Sequence, residues 1–201
     1  MAHQDAIVAV LAGGLGERLG GAKPSVALGG RALICHPLQA AREAGLEAIV
    51  VAKTTTTLPP LQVQVVHEPQ EPQHPLRGIV TALSFAAALP RSPAVVALAC
   101  DMPFVTAALL QWLAGLEGPV IAQVDGRAQP LLARLPVESL PLLERALAAE
   151  RSLQSSLGEL SPSIVSDSEL TRFGDPARLC FNVNDAAQLH AAGRWLAAAE
   201  R

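Results

Sequence analysis

The chain has 201 residues, half of them hydrophobic but only 3% aromatic, and a formal net charge of -3. That length suits a single domain, which removes roughly 70% of its unfolded surface from water around an aliphatic, alanine-rich core. No apolar run reaches the roughly 18 residues of a membrane span, and the charge offers no footing on a nucleic acid backbone or an anionic membrane.

The apolar run Ala6 to Leu11 follows Asp5 rather than a basic segment and leads into glycines, so it is expected to be a first strand and not a leader. Further runs rich in β-branched residues, Glu47–Ala52, Val63–His67, Ala94–Cys100 and Val120–Val124, are expected strands. Helical spacing falls between them: Ala32 to Ala44 stopped by Gly45, Leu76 to Leu89 stopped by Pro90, and Thr106 to Leu116 with Thr106 as N-cap. Strands alternating with helices imply parallel strands joined by right-handed crossovers, hence an α/β fold with three layers. "AIVVA" and "AVVALAC" are apolar on both faces, as strands covered on both sides are. After Val124 the pattern changes to a turn and strand in "DGRAQPLLARL", a helix Val137 to Arg151, an irregular stretch, and a closing amphipathic helix Ala186 to Arg201. With no long linker or repeat, residues 1–201 are expected to form one domain. Its nucleotide-binding half is about 1–118 and its second-substrate half about 119–201.

The stretch "LAGGLGERLGGAKP", Leu11 to Pro24, has the parts of a phosphate loop in an unfamiliar layout. A dinucleotide fingerprint fails because Leu19 stands where the third glycine belongs. A mononucleotide loop fails because Ala22 separates Gly21 from Lys23, and Pro24 supplies no hydroxyl. Arg18 and Lys23 could grip phosphate, aided by amides of the glycine turn, or could be two solvated cations. Ligands in open parallel sheets bind beyond the carboxyl ends of strands, which singles out this loop, the loop after His67 and "CDMPF". There Asp101 tops a fully apolar strand, either holding magnesium beside substrate phosphates or capping the next helix. Asn182 and Asn184 in "CFNVND" face one way in extended chain and could hold a metal or phosphate shell. Taken alone, helix capping near Asp185 is the better reading of that pair.

Cys35, Cys100 and Cys180 form no CxxC pair and fit reduced thiols of a cytoplasmic protein, each as a small buried apolar residue. The five histidines lack HExxH spacing, so no zinc centre is expected.

Four pieces in order resemble the molybdenum cofactor guanylyltransferases, MobA-type nucleotidyltransferases with a Rossmann-like nucleotide-diphosphosugar-transferase fold and a mostly parallel central sheet. They are "LAGGLGERLGGAK", "PLRGI" from Pro75, "CDMP" from Cys100, and the Asn182-x-Asn184 pair, spanning about Ala6 to Leu189. The resemblance implies that GMP passes from Mg-GTP to the terminal phosphate of molybdopterin or molybdenum cofactor, releasing pyrophosphate. It also implies cofactor-assembly proteins and acceptor molybdoenzymes as partners. On this resemblance Leu11, Ala12 and Gly13 contact the base, and Gly14, Gly16 and the rest of the loop to Gly20 wrap the triphosphate. Lys23 and Arg18 neutralise phosphates, and Asp101 holds Mg2+. Gly78 lets backbone approach the nucleoside, and Asn182 and Asn184 complete the metal or second-substrate site. Of the two acidic residues upstream of "PLRGI", Glu68 is preferred to Glu71 because it directly follows a strand. The chain departs from the family pattern at Ala22, His74 and Arg77. Alternatives are a molybdenum cofactor cytidylyltransferase, another small-molecule nucleotidyltransferase, or a non-catalytic nucleotide- or cofactor-binding protein. Leu-Ala-Gly-Gly, rather than the Leu-Ala-Ala-Gly of the cytidylyl relatives, favours guanine, since glycine admits a larger base.

Overall fold

The structure is a computed structural model that describes residues 6–14, 19, 22–71, 73–90 and 94–199. Chain order begins with β1 (Ile7–Leu11), a single 3-10 turn at Lys23–Ser25, the short strands β2 (Ala27–Leu28) and β3 (Arg31–Ala32), and α1 (Cys35–Glu43). Next come β4 (Ala48–Ala52), β5 (Gln64–His67), α2 (Pro75–Ala87), β6 (Ala94–Ala99) and α3 (Ala107–Ala114). The second half holds β7 (Val120–Val124), β8 (Arg127–Pro136), α4 (Leu140–Ala148), α5 (Leu153–Gly158) and β9 (Ser163–Val165). It closes with α6 (Asp167–Leu170), α7 (Pro176–Leu179) and α8 (Ala186–Ala199).

Among the described residues, one seven-stranded sheet runs in the order β5-β4-β1-β6-β8-β7-β9. Its strands are parallel except β8, which is antiparallel to β6 and to β7. The mostly parallel three-layer arrangement follows from alternation within each buried strand. Val8, Val10, Val50, Val96 and Leu98 point to the face covered by α1 and α3. Ile7, Ala9, Ile49, Val51 and Val95 point to the face covered by α2 and α4.

Three local expectations are corrected. The helix read from Ala32 starts at Cys35, because Ala32 pairs with Ala27 in a hairpin. Its two-residue loop, Gly29 and Gly30, has φ of 58° and 75°, the left-handed pair that a tight hairpin turn requires. The helix read as Val137 to Arg151 is a 3-10 turn followed by α4, and the stretch read as irregular contains β9, which pairs with β7.

Candidate functional site

Because β1, β4, β5 and β6 run in one direction, their carboxyl ends open on the same edge of the sheet. Leu11 ends β1, and Ala12 is tied back by donating its N–H to the Val51 carbonyl at 2.8 Å. Gly13 and Gly14 then line a pocket of about 410 Å³ with Lys53, Glu68 and Gly78. Glu68 leaves β5 with its N–H on the Ala52 carbonyl and is only 8% exposed. Its carboxylate lies between two glycines. A Cβ on Gly13 would stand 2.0 Å from Glu68 Oε1, and one on Gly78 would stand 3.3 Å from Oε2. Burial raises the Glu68 pKa above the ordinary carboxylate range, against the pull of Lys53 and Arg77. The floor of this pocket therefore presents one carboxylate, one lysine and close-packed backbone.

A second cluster stands beside β6. Lys23, in its own 3-10 turn, forms an ion pair with Asp101 and donates to Asn184 Oδ1 at 2.7 Å. Asp101 is 6% exposed, and its carbonyl accepts the Val183 N–H at 3.0 Å. Residues 78 and 161 positions apart thus meet at one ammonium group. The capping alternative for Asp101 falls away, because Thr106 Oγ1 accepts the Leu109 N–H and caps α3. Capping also fails as the account of the asparagines: Asp185 Oδ1 accepts the Gln188 N–H, while Asn182 Nδ2 donates to the Cys180 carbonyl.

Asn182 and Asn184 flank buried Val183 and line a polar pocket of about 520 Å³ with Arg127, Gln129 and Gln188. That pocket opens where β7 turns into β8 through Asp125 and Gly126, both at positive φ. Sequence reasoning missed Lys53, which follows β4 as directly as Glu68 follows β5; the same strand-end rule finds it. It also missed Arg127 and Gln129, which no motif marks. Gly16 and Arg18 lie outside the described residues. Among the described residues no three His, Cys, Asp or Glu side chains gather as a metal centre. A hard cation carried in by phosphates fits differently. Phosphates and water supply most of its oxygen ligands, so the protein need give only one or two, and Asp101 and Asn184 both turn an oxygen toward Lys23.

The family model for the MobA-like NTP transferase domain matches residues 8–163. A molybdenum cofactor guanylyltransferase of Pseudomonas entomophila is 32% identical over 185 residues, covering 86% of this chain and 95% of that one. Another, from Rhizobium johnstonii, is 31% identical over 201 residues, covering 94% and 92%. The crystal structure of molybdopterin-guanine dinucleotide biosynthesis protein A from Archaeoglobus fulgidus superposes with a TM-score of 0.77 at 25% identity, covering 95% of this chain and 98% of that one. No described helix is long and apolar enough to cross a membrane.

Proposed function

The chain belongs to the MobA-like NTP transferase family, and from that premise we propose that it transfers GMP from Mg-GTP to the terminal phosphate of molybdopterin or molybdenum cofactor. A phosphate oxygen of the acceptor attacks the α-phosphorus of GTP. The bond from that phosphorus to the β-phosphate bridge breaks, and pyrophosphate leaves with the electron pair. The acceptor brings its own nucleophile, so the protein's work is positioning and charge neutralisation. Guanine and ribose lie in the pocket lined by Leu11, Gly13, Glu68 and Gly78, with Ala12 giving backbone support beside it, and the roles of Gly14, Gly16 and Arg18 are to bind the phosphates. A carboxylate there can accept from the N1–H and the exocyclic amine of guanine together. Lys53 can donate to its carbonyl.

Lys23 neutralises charge on the α-phosphate as it develops. Asp101, with Asn184 beside it, would hold Mg2+. When bound there, such an ion would supply positive charge against the charge that develops on the phosphates. Asn182 and Asn184 begin the second-substrate pocket, and Arg127 lies where an anionic acceptor would pass. Reaction in the cytoplasm, with cofactor-assembly proteins and molybdoenzymes as neighbours, belongs to the same proposal. One observation carries the reading: a single lysine joins the carboxylate after β6 to the asparagine before α8.

The test is transfer of label from α-labelled GTP, with CTP alongside, to molybdopterin in the presence of Mg2+. Label should pass from GTP, and Asp101→Ala should lower turnover roughly a hundredfold or more while the protein stays folded. Transfer from CTP alone would overturn the choice of base. Unchanged turnover in Asp101→Ala would overturn the metal assignment.

A further inference from the structure

A third, small core lies apart from the two sheet faces. Leu28, Leu33, Val183 and Ala192 are buried in it, with Phe104 and Phe181 packed alongside. Each chain segment that carries a member of the Lys23 cluster sends an apolar side chain into this core. Leu28 and Leu33 follow Lys23, Phe104 follows Asp101, and Phe181 and Val183 flank Asn182. The chain has four phenylalanines, two tryptophans and no tyrosine, yet three of these aromatics converge here. Phe181 and Trp195 meet edge to face at 4.8 Å between centroids, and Phe104 and Trp195 at 5.5 Å.

Arg178 closes the group. It sits on α7, whose amino end Asp175 caps by accepting from Ala177 N at 2.9 Å. Its guanidinium carbon lies 4.8 Å from the Phe104 ring centroid and 5.8 Å from that of Trp195. Its Nη2 also donates to the Trp195 carbonyl at 3.3 Å. One planar cation therefore holds the loop after β6 and helix α8 at once, from the segment that leads directly into Cys180–Asn184. A planar guanidinium can stack and donate together; an ammonium cannot do both with this geometry.

We propose that Arg178 is a positioning residue for the reaction centre. By clamping Phe104 and Trp195 it fixes the Asp101 loop against the Asn182–Asn184 segment, and so sets the convergence of Asp101 and Asn184 on Lys23. The proposal rests on the reading of that cluster as the site of GMP transfer. The link is short on both sides: Phe104 lies three residues after Asp101, and the Val183 N–H is bonded to the Asp101 carbonyl. A misplacement of about 1 Å at reacting groups can cost roughly a hundredfold in rate.

The test compares Arg178→Ala, Arg178→Lys and Leu189→Ala, the last removing apolar packing from the same core while leaving the guanidinium and all three rings in place. Two readouts are taken, amide exchange of Val183 by NMR and GMP transfer with KM and kcat separated. Arg178→Ala should speed Val183 exchange about tenfold or more. It should lower kcat about tenfold while KM for GTP stays within about twofold. Arg178→Lys should share both defects, and Leu189→Ala should lower the melting temperature yet keep kcat. Wild-type exchange or wild-type kcat in Arg178→Ala would overturn the proposal, as would rescue by lysine or the same loss of kcat in Leu189→Ala. If the wild-type protein transfers no GMP, the transferase reading fails. The Val183 exchange of the three variants then still decides whether Arg178 clamps the two segments.

Discussion

Beside Gly13 the space a side chain would need is filled by the Glu68 carboxylate, and a methyl there would meet Oε1 at 2.0 Å. Gly13→Ala must therefore displace Glu68, whatever it does to the base directly. If Glu68 reads guanine, losing hydrogen bonds to a charged acceptor should cost about 1.5 to 3 kcal/mol, or roughly ten- to a hundredfold in transfer from GTP. Parallel assays should show the GTP:CTP preference shift toward CTP; an unchanged ratio would move base selection to another residue. Glu68 also carries a pH signature. Burial raises its pKa, so folding disfavours the charged form relative to the unfolded chain. The stability this gives is fully present below the unfolded carboxyl pKa of about 4.3 and is lost as pH rises through the higher folded value. Glu68→Gln should accordingly melt above wild type at pH 8, with the gap closing as pH falls toward 4. A constant gap across that range would exclude desolvation as its source. The buried thiols make a companion case. Burial, with Asp101 adding to it, pushes Cys100 up to about 12, and burial with Asp167 does the same for Cys180. At pH 8 a thiolate-selective reagent should leave both unmodified in the native protein and label both after denaturation.

Helix α2 shows how an element gives up intrinsic stability to place one backbone surface. Leu76, Ile79, Ala82, Leu83 and Ala86 form its buried stripe, and Gly78 interrupts the same face at a cost of about 1 kcal/mol relative to alanine. The interruption lets the helix approach Glu68 and Leu11. Its start is secured by His74, whose Nδ1 accepts the Leu76 N–H at 3.2 Å. His74→Ala should cost about 1 kcal/mol, or roughly 2 to 4 °C in melting temperature, and His74→Asp should restore most of it. Equal melting of the alanine and aspartate variants would show that the cap contributes nothing. Elements of this kind were largely legible in the sequence, because α2 has a clean 3.6-residue period between prolines. The hairpin before α1 was not, since its strands are two residues each and Ala32-Leu33-Ile34 also fits a helical stripe. Gly29-Gly30 was the overlooked signal. β9 was hidden for another reason: three residues are too few for any periodicity, and its identity comes from pairing with β7.

Across the whole molecule, what a sequence shows least is which distant residues will touch. Strand ends pointed to Glu68 and Asp101, and the spacing of Asn182 and Asn184 put both on one side of the chain. The meeting of Lys23, Asp101 and Asn184 depends instead on sheet order, which carries β1 beside β6 and returns the chain after α7 to the Asp101 carbonyl. The pair at its centre is mostly buried, with side chains 15% and 9% exposed for Lys23 and Asp101. Removing either partner leaves the other charge in a poorly solvated place, a more costly state than removing both. Lys23→Ala and Asp101→Ala should each destabilise the fold, and the double variant should be less destabilised than the two effects added, by about 1 to 3 kcal/mol of coupling. Activity should behave differently. Each single variant should lose roughly a hundredfold or more in transfer, and the double variant should recover none of it, because charge balance is restored without phosphate neutralisation or a metal ligand. Chemical denaturation of the four proteins, read beside their turnover, separates the two roles. Additive stabilities would mean that the ion pair does not hold the fold together. Recovered transfer in the double variant would mean that neither residue acts on the phosphates.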